Sequence, residues 1–135
     1  RVPLPRAALE LSGSTTWQDA RDLGASPVYH GKRLPNLPAL EAFLSASLFR
    51  GLWKARWDLA MRTAHFRDRY NAPGKRTAGS TTHDFALERA LGGGIARVRL
   101  ETQNLLDQRR EDIDGFPLPG RSYLVEVTVG KGVRS

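Results

Sequence analysis

The sequence predicts an all-β fold: an antiparallel meander of about six strands, of the kind that crosses a membrane as part of a β-barrel. Three observations point there. Apolar residues recur at every second position in several separate segments. The connections alternate in length, with long ones at residues 19–39, 66–80 and 107–121 and short ones near 50–52 and 91–94. The second face is fully polar in the first segment and mostly polar or charged in the others, as the wall of a water-filled lumen requires. A soluble sandwich has no reason to alternate its loop lengths.

The elements follow in order. In AALELSGSTTWQDA, residues Leu9, Leu11, Gly13, Thr15 and Trp17 share one face, opposite Glu10, Ser12, Ser14, Thr16 and Gln18. A Gly- and Pro-rich loop follows. LEAFLSASLFR fits a strand through Leu40, Ala42, Leu44, Ala46 and Leu48, and fits a helix nearly as well through Leu40, Phe43, Leu44, Ser47 and Leu48. After a turn at Gly51, Trp53, Ala55, Trp57, Leu59, Met61 and Thr63 oppose Lys54, Arg56, Asp58 and Arg62. HDFALERAL is a weaker alternating run, and Gly92, Gly93 and Gly94 form a tight turn. Ala96, Val98, Leu100 and Thr102 then oppose Arg97, Arg99, Glu101 and Gln103. Finally, Tyr123, Val125, Val127 and Val129 oppose Leu124, Glu126 and Thr128. In a barrel, Trp17, Trp53, Trp57 and Tyr123 are the lipid-boundary aromatics, with rings that suit a place where one edge is apolar and the other wet.

Composition sets bounds. The chain has 135 residues, enough for one domain, with 40% hydrophobic residues and a net charge of +7. Such a basic excess serves either a solvated surface or an anionic partner. Without cysteine there are no disulfides, thiolate metal sites or Cys nucleophiles. The first residue is Arg and no signal-peptide layout follows, so the start reads as a processed or cut end. No apolar run reaches the roughly 18 residues of a spanning helix.

The stretch NLLDQRREDIDGFPLPGRSYLVEVTV, residues 104–129, resembles the carboxy-terminal hairpin of TonB-dependent outer-membrane receptors. The family's Asn-Leu-x-Asp strand end is matched by Asn104, Leu105, Leu106 and Asp107, and its Pro-Gly-Arg lead-in to the last strand by Pro119, Gly120 and Arg121. GKRLPNLP is similar to the family's Leu-Pro-Asn-x-Pro lead-in at Leu34, Pro35, Asn36 and Pro38. The motif residues themselves read as turn and strand-end chemistry, since Asn and Asp bond their own backbone where a strand leaves a sheet. The chain departs from the family in three ways. It has neither plug nor TonB box, it runs on through GKGVRS instead of ending on an aromatic residue, and Arg110 stands where an aromatic often follows the loop Arg.

The resemblance implies that residues 1–135 are the carboxy-terminal segment of a receptor β-barrel of about 22 strands, without the plug. It implies a bacterial outer-membrane location with a periplasmic C-terminus, and import of a scarce ligand such as a ferric siderophore. This segment supplies wall and extracellular loops. Six strands cannot close a lipid-facing barrel, whose smallest bacterial members have about eight. The obligate partner is therefore the remainder of the receptor, plug and other strands together. Outer-membrane lipid and lipopolysaccharide are further contacts, the energy-coupling TonB complex acts only indirectly, and no nucleic acid is expected.

No catalytic or cofactor chemistry is expected. His30, His65 and His83 lack metal-ligand spacing, EDIDG at 111–115 lacks the other positions of a calcium loop, and the three glycines lack the Lys-Ser/Thr of a phosphate loop. The ligand-binding candidates lie in the loops and upper lumen: Tyr29, His30, Lys32, Arg33, Arg67, Arg69, Tyr70 and Phe116. Cations interleaved with aromatics suit anionic, partly aromatic ligands. A rival reading takes residues 39–50 and 52–66 as two helices joined at Gly51, giving a small basic helical nucleic-acid-binding module.

Overall fold

The computed structural model describes residues 2–4, 6–113 and 116–130. In chain order its strands begin with β1 (Val2–Leu4), β2 (Ala7–Trp17), β3 (Leu40–Arg50) and β4 (Trp53–Arg62). The short β5 (His65–Phe66) and β6 (Arg76–Thr77) come next, then β7 (Ser80–Leu91) and β8 (Ala96–Gln103). Last are the short β9 (Glu111–Ile113) and β10 (Phe116–Pro117), and β11 (Ser122–Val129). One antiparallel sheet carries β1-β2-β3-β4-β7-β8-β11 in that order, so the six expected long strands are joined by the short β1. The sheet is a meander and is not closed into a barrel.

Helical propensity at residues 40–62 is overridden. β3 is registered along its length against β2 on one side and β4 on the other, from Leu40 opposite Trp17 to Arg50 opposite Trp53. A helix there would leave both neighbouring strands with unpaired backbone groups. The helical hairpin of the rival reading is therefore not formed. The weak run at residues 83–91 belongs to β7, which its pairing with both β4 and β8 extends back to Ser80.

Register sorts the side chains into two faces. One cross-strand row reads Leu9, Leu48, Ala55, Leu87, Leu100, Val125, and a second reads Leu11, Ala46, Trp57, Phe85, Thr102, Tyr123. Between them lies Glu10, Ser47, Arg56, Ala86, Glu101, Leu124. Strands of period two allow this separation only if every register agrees, since a one-residue slip moves a whole strand's apolar set to the other face. On the polar face the charges pair along their own strands, Arg56 with Asp58 and Arg99 with Glu101.

Neither face is covered by a second layer of structure. Among the described residues of the sheet's strands Ala86 is the one buried apolar side chain, while Trp17 is 75% exposed and Val129 72%. The outer edge of β2 from Glu10 to Trp17 and the outer edge of β11 have no strand partner among the described residues.

The strand ends separate short turns from long loops. The turn at 51–52 uses Gly51 at φ 58°, and Gly92 to Gly94 all adopt positive φ, a region that costs a residue with a Cβ. At the opposite end loop 1 (18–39), loop 2 (63–79) and loop 3 (104–121) gather, and they were longer by a few residues than the sequence predicted. Two of them contain small hairpins that periodicity did not predict, β5 with β6 in loop 2 and β9 with β10 in loop 3.

Candidate anion-binding cleft in the loops

Loops 1 and 2 are joined by paired groups. The Asn71 side chain receives the Arg33 backbone N–H at 2.7 Å and donates to the Arg33 carbonyl at 2.9 Å. The Asn36 N–H donates to the Phe66 carbonyl at 2.8 Å, and Lys32 Nζ to the Tyr70 carbonyl at 2.6 Å. The Tyr29 hydroxyl donates to that of Tyr70 at 3.0 Å. Arg69 lies 4.4 Å above the Tyr29 ring and reaches Asp22 at 2.9 Å. The Arg69 hydrogen bond, helped by the Gly24 N–H, holds the Asp22 carboxyl below the usual carboxylate range. Arg69 is correspondingly raised by Asp22, and the Tyr70 hydrogen bond raises Tyr29.

Most of the candidates thus occupy one place, as parts of an inter-loop joint: Tyr29, Lys32, Arg33, Arg69 and Tyr70. His30 sits at its margin, its Nδ1 3.2 Å from the Gly24 carbonyl. The joint consumes their polar groups in holding two loops together.

Loop 3 is closed by the family-like motif. Asn104 is 3% exposed at φ 50°; its side chain accepts from the Gln108 N–H and donates to the Gln108 carbonyl. The Asn104 N–H donates to Asp84 at 2.7 Å. Asp107, at φ 52°, accepts the Arg121 N–H at 2.8 Å, which ties the two ends of the loop together. A Cβ on Gly120 would stand 2.7 Å from the same Asp107 oxygen, so any larger residue there must push the carboxylate aside. Asn104 thus bonds local backbone at the strand end, whereas Asp107 reaches across the loop to Arg121 instead of to its own neighbourhood.

Between loops 2 and 3 lies a cleft of about 660 Å³. Arg62, Arg67, Arg76, Arg109 and Arg110 line it, with Asp107 and Glu111 as the carboxylates among the described lining residues. Arg67 stands 3.8 Å from Glu111, and Arg76 lies 6.0 Å over the Phe66 ring. Arg109 has no acidic partner among the described residues. Two polar atoms of the lining, Arg110 Nε and Thr77 Oγ1, are buried without a hydrogen-bond partner. The cleft opens toward the polar face of the sheet. A groove of about 370 Å³ shares Arg62, Ser80, Arg110 and Leu118 with it and continues past Ser14, Thr16, Glu41 and Thr82.

Of the expected ligand residues, Arg67 alone lines this cleft. Phe116 is 69% exposed in β10, and its neighbours Pro117 and Leu118 line the cleft instead. Arg62, Arg76, Arg109 and Arg110 were missed. The available signal was the density of Arg in KRTAGS and DQRRED, since loop length alone says nothing about which loops face each other.

The expected boundary aromatics occupy different heights. Trp53 stands beside the short turn, with Arg89 4.9 Å over its ring, while Trp17 and Tyr123 stand beside the long loops. Trp57 lies mid-strand in β4 and stacks on His83 at 5.7 Å. No helix among the described residues is long and apolar enough to cross a membrane, which says nothing about strands. Among the described residues no three His, Asp or Glu side chains gather to hold a metal ion. Comparison with protein-family models and with curated proteins returns no match.

Proposed function

We propose that the chain is a carboxy-terminal wall segment of a TonB-dependent outer-membrane receptor. Its sheet is one part of a barrel of about 22 strands, completed by the remaining strands and plug. In this reading the apolar face meets lipid, the polar face lines the lumen, and the long loops stand outside the cell. The segment takes no chemical step. It helps capture a scarce ligand, which the energy-coupled plug of the completed receptor admits to the periplasm.

The observation that carries this reading is the bare single sheet. A soluble domain buries its apolar face under a second layer, yet here Leu11, Leu100, Val125 and Val127 are each at least half exposed on one face. Lipid is a solvent in which that face is stable. The two open edges support the same reading, because each unpaired backbone group in a bilayer costs several kcal/mol and so demands neighbouring strands. Alternating short turns and long loops, and the loop-3 knot at Asn104, Asp107, Gly120 and Arg121, agree with the resemblance.

Semi-native electrophoresis of detergent-extracted outer membranes, with and without boiling, tests the proposal. The chain is expected to migrate with a larger polypeptide and to separate from it only on boiling. Recovery of the chain alone in the soluble fraction overturns the reading.

A further inference from the structure

We propose that Arg50, Trp53 and Arg89, side by side on the apolar face at the short-turn end of the sheet, hold the phosphate headgroup of an anionic phospholipid. The inference rests on the receptor reading above, because that reading sets this face against lipid and this end toward the periplasm.

The argument starts from register. Arg50 closes β3 opposite Trp53, which opens β4, and Trp53 in turn stands opposite Arg89 of β7. The three side chains therefore form one cross-strand row on one face. The next row toward the long loops is Leu48, Ala55 and Leu87. Among the described strands of the sheet, Arg50 and Arg89 are the two residues of this face that are Lys, Arg, Asp or Glu. A charge on a lipid-facing strand is costly at mid-membrane and tolerated near the headgroups, where the long arginine stem reaches the interface. Both charges lie in the row beside the short turn, as that rule requires.

Partners make the second, independent point. Neither Arg50 nor Arg89 has an acidic partner among the described residues, and the neighbouring Glu88 pairs with Arg97 on the other face. Arg89 instead lies 4.9 Å over the Trp53 ring, a contact that leaves its N–H donors unspent. Both arginines are exposed, and Trp53 is 45% exposed between them. Adjacent strands lie about 4.8 Å apart, so the two arginines stand about 10 Å apart across Trp53. One lipid headgroup is within reach of both. The guanidinium fork matches the paired oxygens of its phosphate, and the indole suits the boundary beneath it. A net-negative lipid is favoured over a zwitterionic one, whose ammonium group the guanidiniums repel.

The test is tryptophan quenching in the full chain, purified from membranes with the polypeptide that accompanies it and returned to vesicles. The vesicles mix phosphatidylcholine with phosphatidylglycerol, one or the other brominated near the top of its acyl chain. The Trp53 signal is the difference between wild type and Trp53→Phe. Phosphatidylglycerol is expected to quench it as a lipid held about fivefold more tightly than phosphatidylcholine, the worth of one arginine at an anionic surface. Added salt should erode that preference. The Arg50→Gln, Arg89→Gln double variant should abolish it while quenching by phosphatidylcholine persists. Both side chains are exposed, so folding survives, and Arg89→Lys should keep part of the preference. Lys54→Gln, next to Trp53 but on the polar face, should leave it unchanged. Equal quenching by the two lipids, or a preference that survives in the double variant, overturns the inference and leaves the receptor reading standing. A preference lost equally in Lys54→Gln overturns it in favour of a diffuse field. A Trp53 signal quenched by iodide from water and by neither lipid removes the lipid-facing wall, and with it both the receptor reading and this inference.

Discussion

Loops 1 and 2 meet through matched partners; loops 2 and 3 meet across an arginine-lined cleft. In the first joint Arg69 has Asp22, Lys32 has the Tyr70 carbonyl, and Asn71 satisfies both backbone groups of Arg33. In the second, Arg109 has no acidic partner and Arg110 Nε no acceptor among the described residues. The same residue types therefore serve two ends. Where each cation has its acceptor, the arrangement holds the fold, and a foreign anion would have to displace a partner. Where a cation such as Arg109 has no acidic partner among the described residues, its loss should cost the fold little. Residue type alone cannot separate the two cases; the census of partners can.

The comparison predicts that the first joint fails hardest when its backbone clamp is removed. Asn71→Gly keeps the positive φ of 54° but loses both bonds to Arg33. It should lower the free energy of local opening at the Arg33 amide by about 1–3 kcal/mol, measured by hydrogen exchange. Asn71→Ala should cost roughly 1 kcal/mol more, because alanine resists the left-handed region. Equal exchange in wild type and Asn71→Gly would mean that the two loops are held elsewhere.

Loop 3 is closed at its base by the Arg121 N–H on Asp107 and held further up by the Leu118 N–H on the Arg110 carbonyl, so losing the first bond should cost less. Gly120→Ala places a methyl group 2.7 Å from Asp107 Oδ1 and forces that carboxylate off the Arg121 N–H. A loss of about 1–2 kcal/mol in loop closure is expected, the worth of a charged hydrogen bond, seen as faster proteolysis within residues 107–121. In Asp107→Ala, Gly120→Ala should add little, because the clash and the bond share one oxygen. Full additivity would contradict that geometry.

Removing a cation of the cleft should do less still. Arg109→Gln is expected to leave stability within about 0.5 kcal/mol of wild type, as for surface changes away from any special feature. A clear destabilisation, measured by denaturant unfolding of the detergent-extracted protein, would make Arg109 a structural residue like those of the first joint.

The wall was legible in the sequence and the loop tops were not, for a physical reason. A strand writes its two faces into the chain at period two, so the shared face of Val98 and Leu100 and that of Tyr123 and Val125 could be assigned before the register that sets Leu100 opposite Val125 was known. Where the period was ambiguous, at Leu40 to Leu48, pairing with both neighbours decided it, and that information lies outside the segment. The loop-3 motif was legible as turn chemistry, though the meeting of Asp107 with Gly120 and Arg121 appears only in three dimensions. Loop contacts have no period at all. Tyr29 and Tyr70 are 41 residues apart, and nothing in either neighbourhood announces the other. Hence the sequence-derived site landed mainly on the joint of loops 1 and 2, while four of the five cleft arginines went unnoticed.

The smallest predicted effect is also the most diagnostic of a matched pair. Asp22 has its pKa lowered chiefly by the hydrogen bond from Arg69, with the Gly24 N–H adding to it. A carboxyl depressed in the folded state contributes stability at pH values above its unfolded pKa, and that contribution fades as pH falls through the folded value. The joint should therefore be unchanged across neutral and mildly acidic conditions and loosen only below the usual carboxylate range. Exchange at the amides of Asp22 and Gly31, which bond across loop 1 beside this pair, is the readout. Because Asp22 and Arg69 lie at the surface, salt screens the pair and only a few-fold change in protection is expected. Asp22→Asn should start from the loosened state and lose this pH response.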